Sequence, residues 1–391
     1  MLSQPLNLHL AKPGIASVSA LVVALTEALD GKSAVAISPA GEPSLQEKYL
    51  SALQLNSPTE FEDTAIVICT SGSTGNPKAV EISSEALKAN HALVSKKLSG
   101  KANWVLAINP AFIGGLTVLS RGIIDGAWTY GLTETGKFNV DTFSKASLVA
   151  AESNPTIRTS LIWAQVVQLI NSDKLETLKM FDAILVGGSK VDNQLFDDLK
   201  AEGLKLISTY GMTETCGGVV WDGHSLDQVE LKIIEKDEFG TGVITINSPT
   251  NASGYRNLPE LDRETFKNNW VHTQDLGQLN DGFLTVIGRI DEIVITGGIN
   301  VSTKAIEEVI AKCEGVEEVV VIPLADPTWG SIIAAIVVGD FNKSEITSQV
   351  ENQLGKSAKP RVIIDAKNLP LLPNGKLDLA KLREIVNNES I

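Results

Sequence analysis

Between residues 62 and 220, short runs of consecutive apolar residues alternate with stretches of helical periodicity. AIVIC (65–69), WVLAI (104–108), AILV (183–186) and KLIS (205–208) have the length and branched character of buried strands. Residues 85–98, 113–124, 165–171 and 193–202 repeat apolar positions at helical spacing, and Gly203 stops the last of them. Strand and helix in alternation predict a largely parallel sheet covered by helices, whose ligands gather at the carboxyl ends of the strands. An earlier apolar stretch, IASVSALVVALTEAL (15–29), reads as a packed surface helix ended by Asp30-Gly31. No basic cluster precedes it, and Glu27 interrupts it, so it does not read as a secretion signal.

From about residue 227 the period changes to two. VELKIIE, GVITINS, WVHTQDLG and GFLTVIGR, separated by turn residues, predict an antiparallel β subdomain that runs to about residue 290. The tail has its own elements: a helix over 303–313, strands VVVIP and IIAAIVVG, a helix ended by Gly355, strand VIID and a helix from Leu379. The expected fold class is therefore α/β. A large N-terminal domain (1–290) of mainly parallel sheets covered by helices, plus the β subdomain, precedes a small α+β C-terminal domain (291–391).

Composition narrows the function classes. With 391 residues, 43% hydrophobic and 20% charged, the chain supports more than one core. A net charge of -14 is opposed to a phosphate-backbone footprint, so nucleic acid is excluded as an expected partner. Cys69, Cys216 and Cys313 lie far apart and suggest neither a zinc site nor a disulfide framework, which fits a reducing cytoplasm. No stretch has the length of a membrane span. His91 shares a helical stripe with Leu87, Val94 and Leu98 and reads as a packing residue; His9, His224 and His272 lack ligand spacing. Trp221, Trp270 and Trp329 read as packing residues.

Candidate chemistry begins where the first buried strand ends. TSGSTGNPK (70–78) offers hydroxyls, unhindered backbone N–H groups and an ammonium, a set that suits phosphate, although a flexible surface loop has the same composition. It is not a Walker A loop, because Lys78 follows Pro77 and no Ser or Thr comes after it. STYGMTET (208–215) supplies an aromatic face and, in Glu214, a hard oxygen ligand for a metal on triphosphate; the alternative is a turn whose Tyr210 packs in the core. Asp275 in HTQDLG and Arg289 in GRIDE could hold ribose hydroxyls, and Gly297-Gly298 would let a backbone approach a ligand. PNGKLD (373–378) is by composition a loop with one lysine.

In order along the chain, TSGSTGNPK, VGGSK, YGMTET, TQDLG, GRIDE and PNGKLD resemble the motif series of the adenylate-forming superfamily, which contains acyl-CoA synthetases, adenylation domains and luciferases. The likeness covers residues 62–378. It implies an enzyme that makes an acyl-adenylate from ATP, Mg²⁺ and a small carboxylic acid, then passes the acyl group to the thiol of CoA. It implies that Thr70, Ser71, Gly72, Ser73, Thr74, Gly75 and Lys78 bind phosphates. Gly188 and Tyr210 would flank adenine, Ser189 and Gly211 beside them would also bind the cofactor, Thr213 would hold the α-phosphate, and Glu214 would ligate magnesium. Asp275 and Arg289 would hold ribose, and Lys376 would be the catalytic lysine. The C-terminal domain would be mobile about a hinge at Asp291, bringing Gly297 and Gly298 to the thioester tunnel. A homodimer is also implied.

Within the superfamily, IVITGGINV, and NPAFIGGL followed by VLSR, are similar to the ligases that act on o-succinylbenzoate. Phe112, Gly115 and Arg121 then become substrate-side candidates. That acid has two carboxylates, and Arg121 and Arg158 are candidates, by charge, to hold the one not activated. Three departures bear on the pocket: Phe112-Ile113 where many relatives carry a histidine, Gln274 in place of a turn glycine, and Trp163-Ala164 in place of Pro-Thr. Another acyl or aryl ligase, or a nucleotide-binding regulator without catalysis, are the competing expectations.

Overall fold

A computed structural model describes residues 6–11, 15–39, 43–70, 77–188, 191–290, 293–296, 299–326, 329–370, 381–382 and 384–386. The chain divides into two compact units. One is Met1–Ile234, Thr245–Thr273 and Leu279–Leu284; the other is Glu235–Ile244, Gln274–Gln278 and Thr285–Ile391.

The first unit holds two sheets. In one, β1 (Leu6–Ala11), β2 (Ala34–Pro39) and β3 (Thr64–Thr70) run parallel, and β4 (Lys78–Ser83) and β14 (Gly254–Tyr255) extend it antiparallel. β3 is buried from Thr64 to Cys69, which explains its unbroken apolar run. Tyr49 and Leu53 of helix α2 (Pro43–Leu53) pack on Ala36, Val67, Cys69 and Ala79, and α1 is the expected helix Ile15–Leu29.

The other sheet has five parallel strands in the order β6 (Trp128–Tyr130), β5 (Asn103–Leu106), β7 (Ile157–Ile162), β8 (Ala183–Gly187) and β9 (Leu206–Met212). β10 (Gly217–Trp221) and β11 (His224–Ser225) continue it antiparallel. Helices α3 (Ser84–Leu98), α4 (Ile113–Asp125), α5 (Val140–Ser153), α6 (Trp163–Asn171), α7 (Leu175–Lys179) and α8 (Asn193–Ala201) cover it. The alternation of strand side chains separates its faces. Val105 joins the core of Phe143, Leu161, Val166, Phe181, Val186 and Phe196, whereas Trp104 meets α4, where a Cβ on Gly122 would lie 3.5 Å from the Trp104 Cβ.

The expected alternating segment forms β12 (Glu230–Ile234), β13 (Gly242–Asn247), β15 (Phe266–Lys267), β16 (Trp270–Asn280) and β17 (Phe283–Arg289), with α9 (Pro259–Thr265) before β15. β15 pairs antiparallel with β16, and β17 with β11 through Phe283 and His224.

In the second unit, β18 (Ile293–Thr296) and β19 (Ile299–Ser302) form an antiparallel hairpin. β20 (Val316–Asp326), β21 (Gly330–Gly339) and β22 (Val362–Asp365) form a mixed sheet. One face packs Val321, Ile333, Ala335 and Val337 on α10 (Thr303–Ile310) and α11 (Lys343–Leu354); the other packs Val320, Ile322, Ala334 and Ile336 against Leu382 and Val386. The α/β class, with a large sheet unit and a separate α+β unit, is as the sequence predicts. Trp329, expected to pack, is instead 43% exposed, its ring covered by the Arg361 guanidinium at 4.3 Å. Among the described residues no helix is long and apolar enough to cross a membrane.

Candidate active site

Thr70 ends β3 and Lys78 begins β4, and the two are direct partners in the antiparallel ladder. Both ends of the segment expected to bind phosphate are thus fixed by strand pairing; Ser71, Gly72, Ser73, Thr74 and Gly75 lie outside the described residues. Lys78 Nζ sits 5.8 Å from the centroid of the Tyr255 ring, within cation–π range. The Tyr255 hydroxyl donates a short hydrogen bond to Glu214 Oε1. One buried tyrosine therefore stands between the expected phosphate lysine and the expected metal ligand.

β9 does not end at Ser208, as predicted, but continues to Met212, so Tyr210 and Gly211 are strand residues. The extension is stabilised by the return strand β10, where Gly217 pairs with Met212 and Gly218 with Gly211. A Cβ on Gly211 would lie 2.1 Å from the Gly217 carbonyl oxygen, so only glycine fits. At the carboxyl end of β8, a Cβ on Gly187 would lie 2.6 Å from Thr209 Oγ1, and Gly188 follows with φ +78. Gly188 and Tyr210 thus come from the neighbouring ends of parallel strands, the arrangement that suits a flat ring; Ser189 lies outside the described residues.

Thr213–Thr215 form a single turn, with Thr213 and Glu214 buried. The Glu214 carbonyl accepts from Ala252 N at 2.8 Å, which fixes the backbone while Tyr255 fixes the carboxylate. Burial and the adjacent Glu214 charge push the Tyr255 pKa well up, keeping it a donor. A single held carboxylate fits Mg²⁺, which commonly uses one or two carboxylates together with phosphate oxygens. Among the described residues no cluster of three His, Cys, Asp or Glu could hold a metal alone. Burial pushes the Cys69 and Cys216 thiols up to about 12, leaving both unsuited to attack.

Of the residues expected on the substrate side, Phe112 precedes α4 and is 37% exposed. A Cβ on Gly115 would lie 2.3 Å from the Ile108 carbonyl oxygen, so the first turn of α4 is pressed against the end of the preceding segment. Arg121, two turns along, is only 2% exposed. Its Nε and Nη2 donate to Asn90 Oδ1 at 2.9 and 2.7 Å, its guanidinium lies 5.1 Å from the Trp104 ring centroid, and Nη1 is buried with no hydrogen-bond partner among the described residues. Burial pushes its pKa down to about 10.

Arg158 is a different case and leaves the candidate list. It is buried in an ion pair with Asp182 and donates to the Gly100 and Leu98 carbonyls at 2.8 and 2.6 Å, so its donors brace the sheet. His91 is also corrected. It is not merely packed: its Nε2 meets Asp125 Oδ1 at 2.7 Å, and Asp125 also accepts from Trp104 Nε1 and Ala102 N.

Asp275 and Arg289 belong to the second unit, on β16 and β17, where Arg289 Nη1 approaches Asp275 Oδ1 to 3.8 Å. The expected ribose pair is thus brought together. Asp291, Gly297, Gly298 and Lys376 lie outside the described residues.

Sequence reasoning missed Tyr255, Asn90 and the fully buried pair Arg256–Glu81. Arg256 Nη1 meets Glu81 Oε1 at 2.7 Å, and the guanidinium also holds the Leu53 and Gln54 carbonyls, which ties the strands beside the phosphate segment to α2. Tyr255-Arg256, directly after Ala252-Ser253-Gly254, carries no motif that would mark it. Asn90 carries none, since a single amide on a helix is ordinary.

Residues 11–256 match the AMP-binding enzyme family and residues 305–376 its C-terminal domain. Among curated relatives, the probable 2-succinylbenzoate–CoA ligase of Mycobacterium tuberculosis is 34% identical over 379 residues, covering 95% of this chain and 96% of its own. Among solved structures, ATP-bound MatB from Rhodopseudomonas palustris aligns with a TM-score of 0.78 at 20% identity, over 98% of this chain and 89% of its own. The O-succinylbenzoate CoA synthetase (MenE) of Bacillus subtilis with ATP and magnesium aligns with a TM-score of 0.77 at 22% identity, over 97% and 89%. At those identities the structures establish a shared fold and do not choose an acid. The family match spans more than half of the chain, and the paired strand ends, the held Glu214 and the glycine-tight β9–β10 turn lie within it: this chain belongs to the AMP-binding enzyme family.

Proposed function

We propose that the protein is an ATP-dependent ligase that joins o-succinylbenzoate to CoA through an acyl-adenylate. The observation that carries the acid is the end-to-end identity with a relative named for 2-succinylbenzoate. In the first half-reaction a carboxylate oxygen bonds to the α-phosphorus of ATP while the bond to pyrophosphate breaks. In the second, the CoA thiol adds to the acyl carbon and AMP leaves. Thr70 to Gly75 and Lys78 bind the leaving phosphates, Gly188, Ser189, Tyr210 and Gly211 the base, Thr213 the α-phosphate, and Asp275 with Arg289 the ribose. Glu214 would hold Mg²⁺, which supplies positive charge to the phosphates when bound. Lys376 neutralises the charge that develops at the α-phosphate. Alternation about Asp291 would then exchange Lys376 for Gly297-Gly298 at the reacting centre.

Phe112 and Gly115 border the acyl side, and Arg121 receives the carboxylate that is not adenylated. Arg121 supports this role by its state: it is a buried cation with a free donor and, among the described residues, no carboxylate ion pair. The buried Asp125 carboxylate acts on Arg121 only at a distance, and an entering carboxylate would supply a directly paired countercharge. The compartment is the cytoplasm, consistent with cysteines that carry no disulfide, and the active assembly a homodimer.

Lys376→Ala tests the mechanism. ATP binding is expected to persist, measured by calorimetry, while pyrophosphate release with o-succinylbenzoate is lost; equal turnover in the variant refutes the lysine assignment.

A further inference from the structure

We propose that Asn90 is a positioning residue that sets the preference for a dicarboxylic acid: it holds Arg121 so that Nη1 is presented to the second carboxylate, and it ties that contact to the backbone beside Glu214. The inference rests on the reading of Arg121 given above.

Asn90 lies on α3 and is 2% exposed. Its two ends do different things. Oδ1 accepts both Nε and Nη2 of Arg121, and Nδ2 donates to the Cys216 carbonyl at 2.8 Å. The amide has one workable orientation, because turning it over would set NH₂ against the guanidinium and oxygen against a carbonyl. Nε and Nη2 are held on one atom and the guanidinium lies against Trp104, which leaves Nη1 as the nitrogen with no partner among the described residues.

The neutrality of Asn90 matters as much as its geometry. Aspartate has the same shape and would accept the same two hydrogen bonds, but it would neutralise Arg121 and compete with the substrate carboxylate. The nearest acidic side chain on α4, Asp125, is occupied by His91, Trp104 and Ala102. An amide at position 90 thus orients the guanidinium without consuming its charge.

The other end of Asn90 reaches the reaction side. Cys216 has φ 51, a left-handed conformation that is costly for a residue with a side chain, and closes the Thr213–Thr215 turn by donating to the Thr213 carbonyl at 3.0 Å. The Nδ2 bond supports that conformation next to Glu214. One side chain therefore fixes both the cation for the distal carboxylate and the turn that carries Glu214.

The test is steady-state thioester formation by Asn90→Asp with o-succinylbenzoate and with the mono-acid analogue lacking the carboxylate that is not adenylated. Aspartate cannot donate to the Cys216 carbonyl, so a loss common to both acids is expected; over and above it, the ratio of kcat/KM for the diacid to that for the analogue is expected to fall on the order of 10–100-fold, the worth of a charged hydrogen bond. Equal losses for both acids, or no change for the diacid, overturn the proposal. If Asn90→Asp does not fold, Asn90→Ala is read by the same ratio of diacid to analogue, with a several-fold fall expected and an unchanged ratio contradicting it. Arg121→Met separates the two levels. If the ratio is unchanged in that variant, the Arg121 assignment itself fails; a ratio that falls in Arg121→Met but holds in Asn90→Asp refutes only the role of Asn90.

Discussion

Arg121→Met should separate stability from substrate recognition. Burial pushes the guanidinium pKa down from its ordinary value to about 10. At about 1.4 kcal/mol per pH unit, the folded chain carries on the order of 3 kcal/mol of cost for that charge. Methionine removes the cost and fills much of the same volume. Against this, it strands Asn90 Oδ1 as a buried acceptor, worth about 1–3 kcal/mol, and forfeits the contact with Trp104, worth about 1 kcal/mol. The opposing effects are of equal size, so the net change lies within about 1 kcal/mol and the melting temperature moves by about 2–4 °C. A depressed basic pKa means that the folded state holds its proton less tightly than the unfolded chain. The cost is therefore fully present below about pH 10 and is relieved as pH rises from there toward the ordinary guanidinium pKa. Scanning calorimetry without substrate reads the stability, and thioester formation reads the KM for o-succinylbenzoate, expected to rise on the order of 10–100-fold. A loss of about 3–5 kcal/mol, the usual result of breaking a satisfied buried pair, would refute the view that Arg121 waits for a partner.

Two further substitutions test the frame around Glu214. Tyr255→Phe keeps the ring but removes the donor to Glu214, so urea denaturation at pH 8 should show a loss of about 1.5–3 kcal/mol. Because the folded Tyr255 pKa is raised, the hydroxyl's contribution is fully present below pH 10 and shrinks above it, as the unfolded chain loses its proton first. The gap between wild type and variant should therefore narrow toward pH 11, and a gap that widens contradicts the assignment. Gly211→Ala would put a Cβ against the Gly217 carbonyl and should cost about 3 kcal/mol or more; a wild-type melting curve would mean that β9 and β10 are not paired in this register.

Most of the fold could be read from the sequence because its elements are extreme. Strand β3 is buried on both faces and reads as an uninterrupted apolar run, and α1 and α3 end at recognisable stops. What escaped was set by pairing between distant segments. β9 outruns its apolar run because β10 folds back on it, and no residue between Thr209 and Met212 announces a partner. The β18–β19 hairpin is absent from the elements the sequence predicts for a similar reason. The site divides the same way. Thr70, Lys78, Gly188, Tyr210 and Glu214 could be read because each stands in a motif contained within one continuous segment. Tyr255 and Asn90 act through hydrogen bonds to residues 41 and 126 positions away, contacts that leave no local pattern. Charge alone also misjudged the arginines. Arg158 and Arg121 look alike in sequence, but one spends its donors on carbonyls and an aspartate while the other keeps Nη1 unspent.

The measurement closest to the central claim is pyrophosphate release with ATP and Mg²⁺ across o-succinylbenzoate, benzoate and a medium-chain fatty acid, each with and without CoA. Release with o-succinylbenzoate alone, followed by a CoA thioester of that acid, is the predicted result. Release with a different acid of the panel and none with o-succinylbenzoate would contradict the substrate while leaving the adenylation chemistry in place, and no release with any acid despite ATP binding would contradict the enzyme itself.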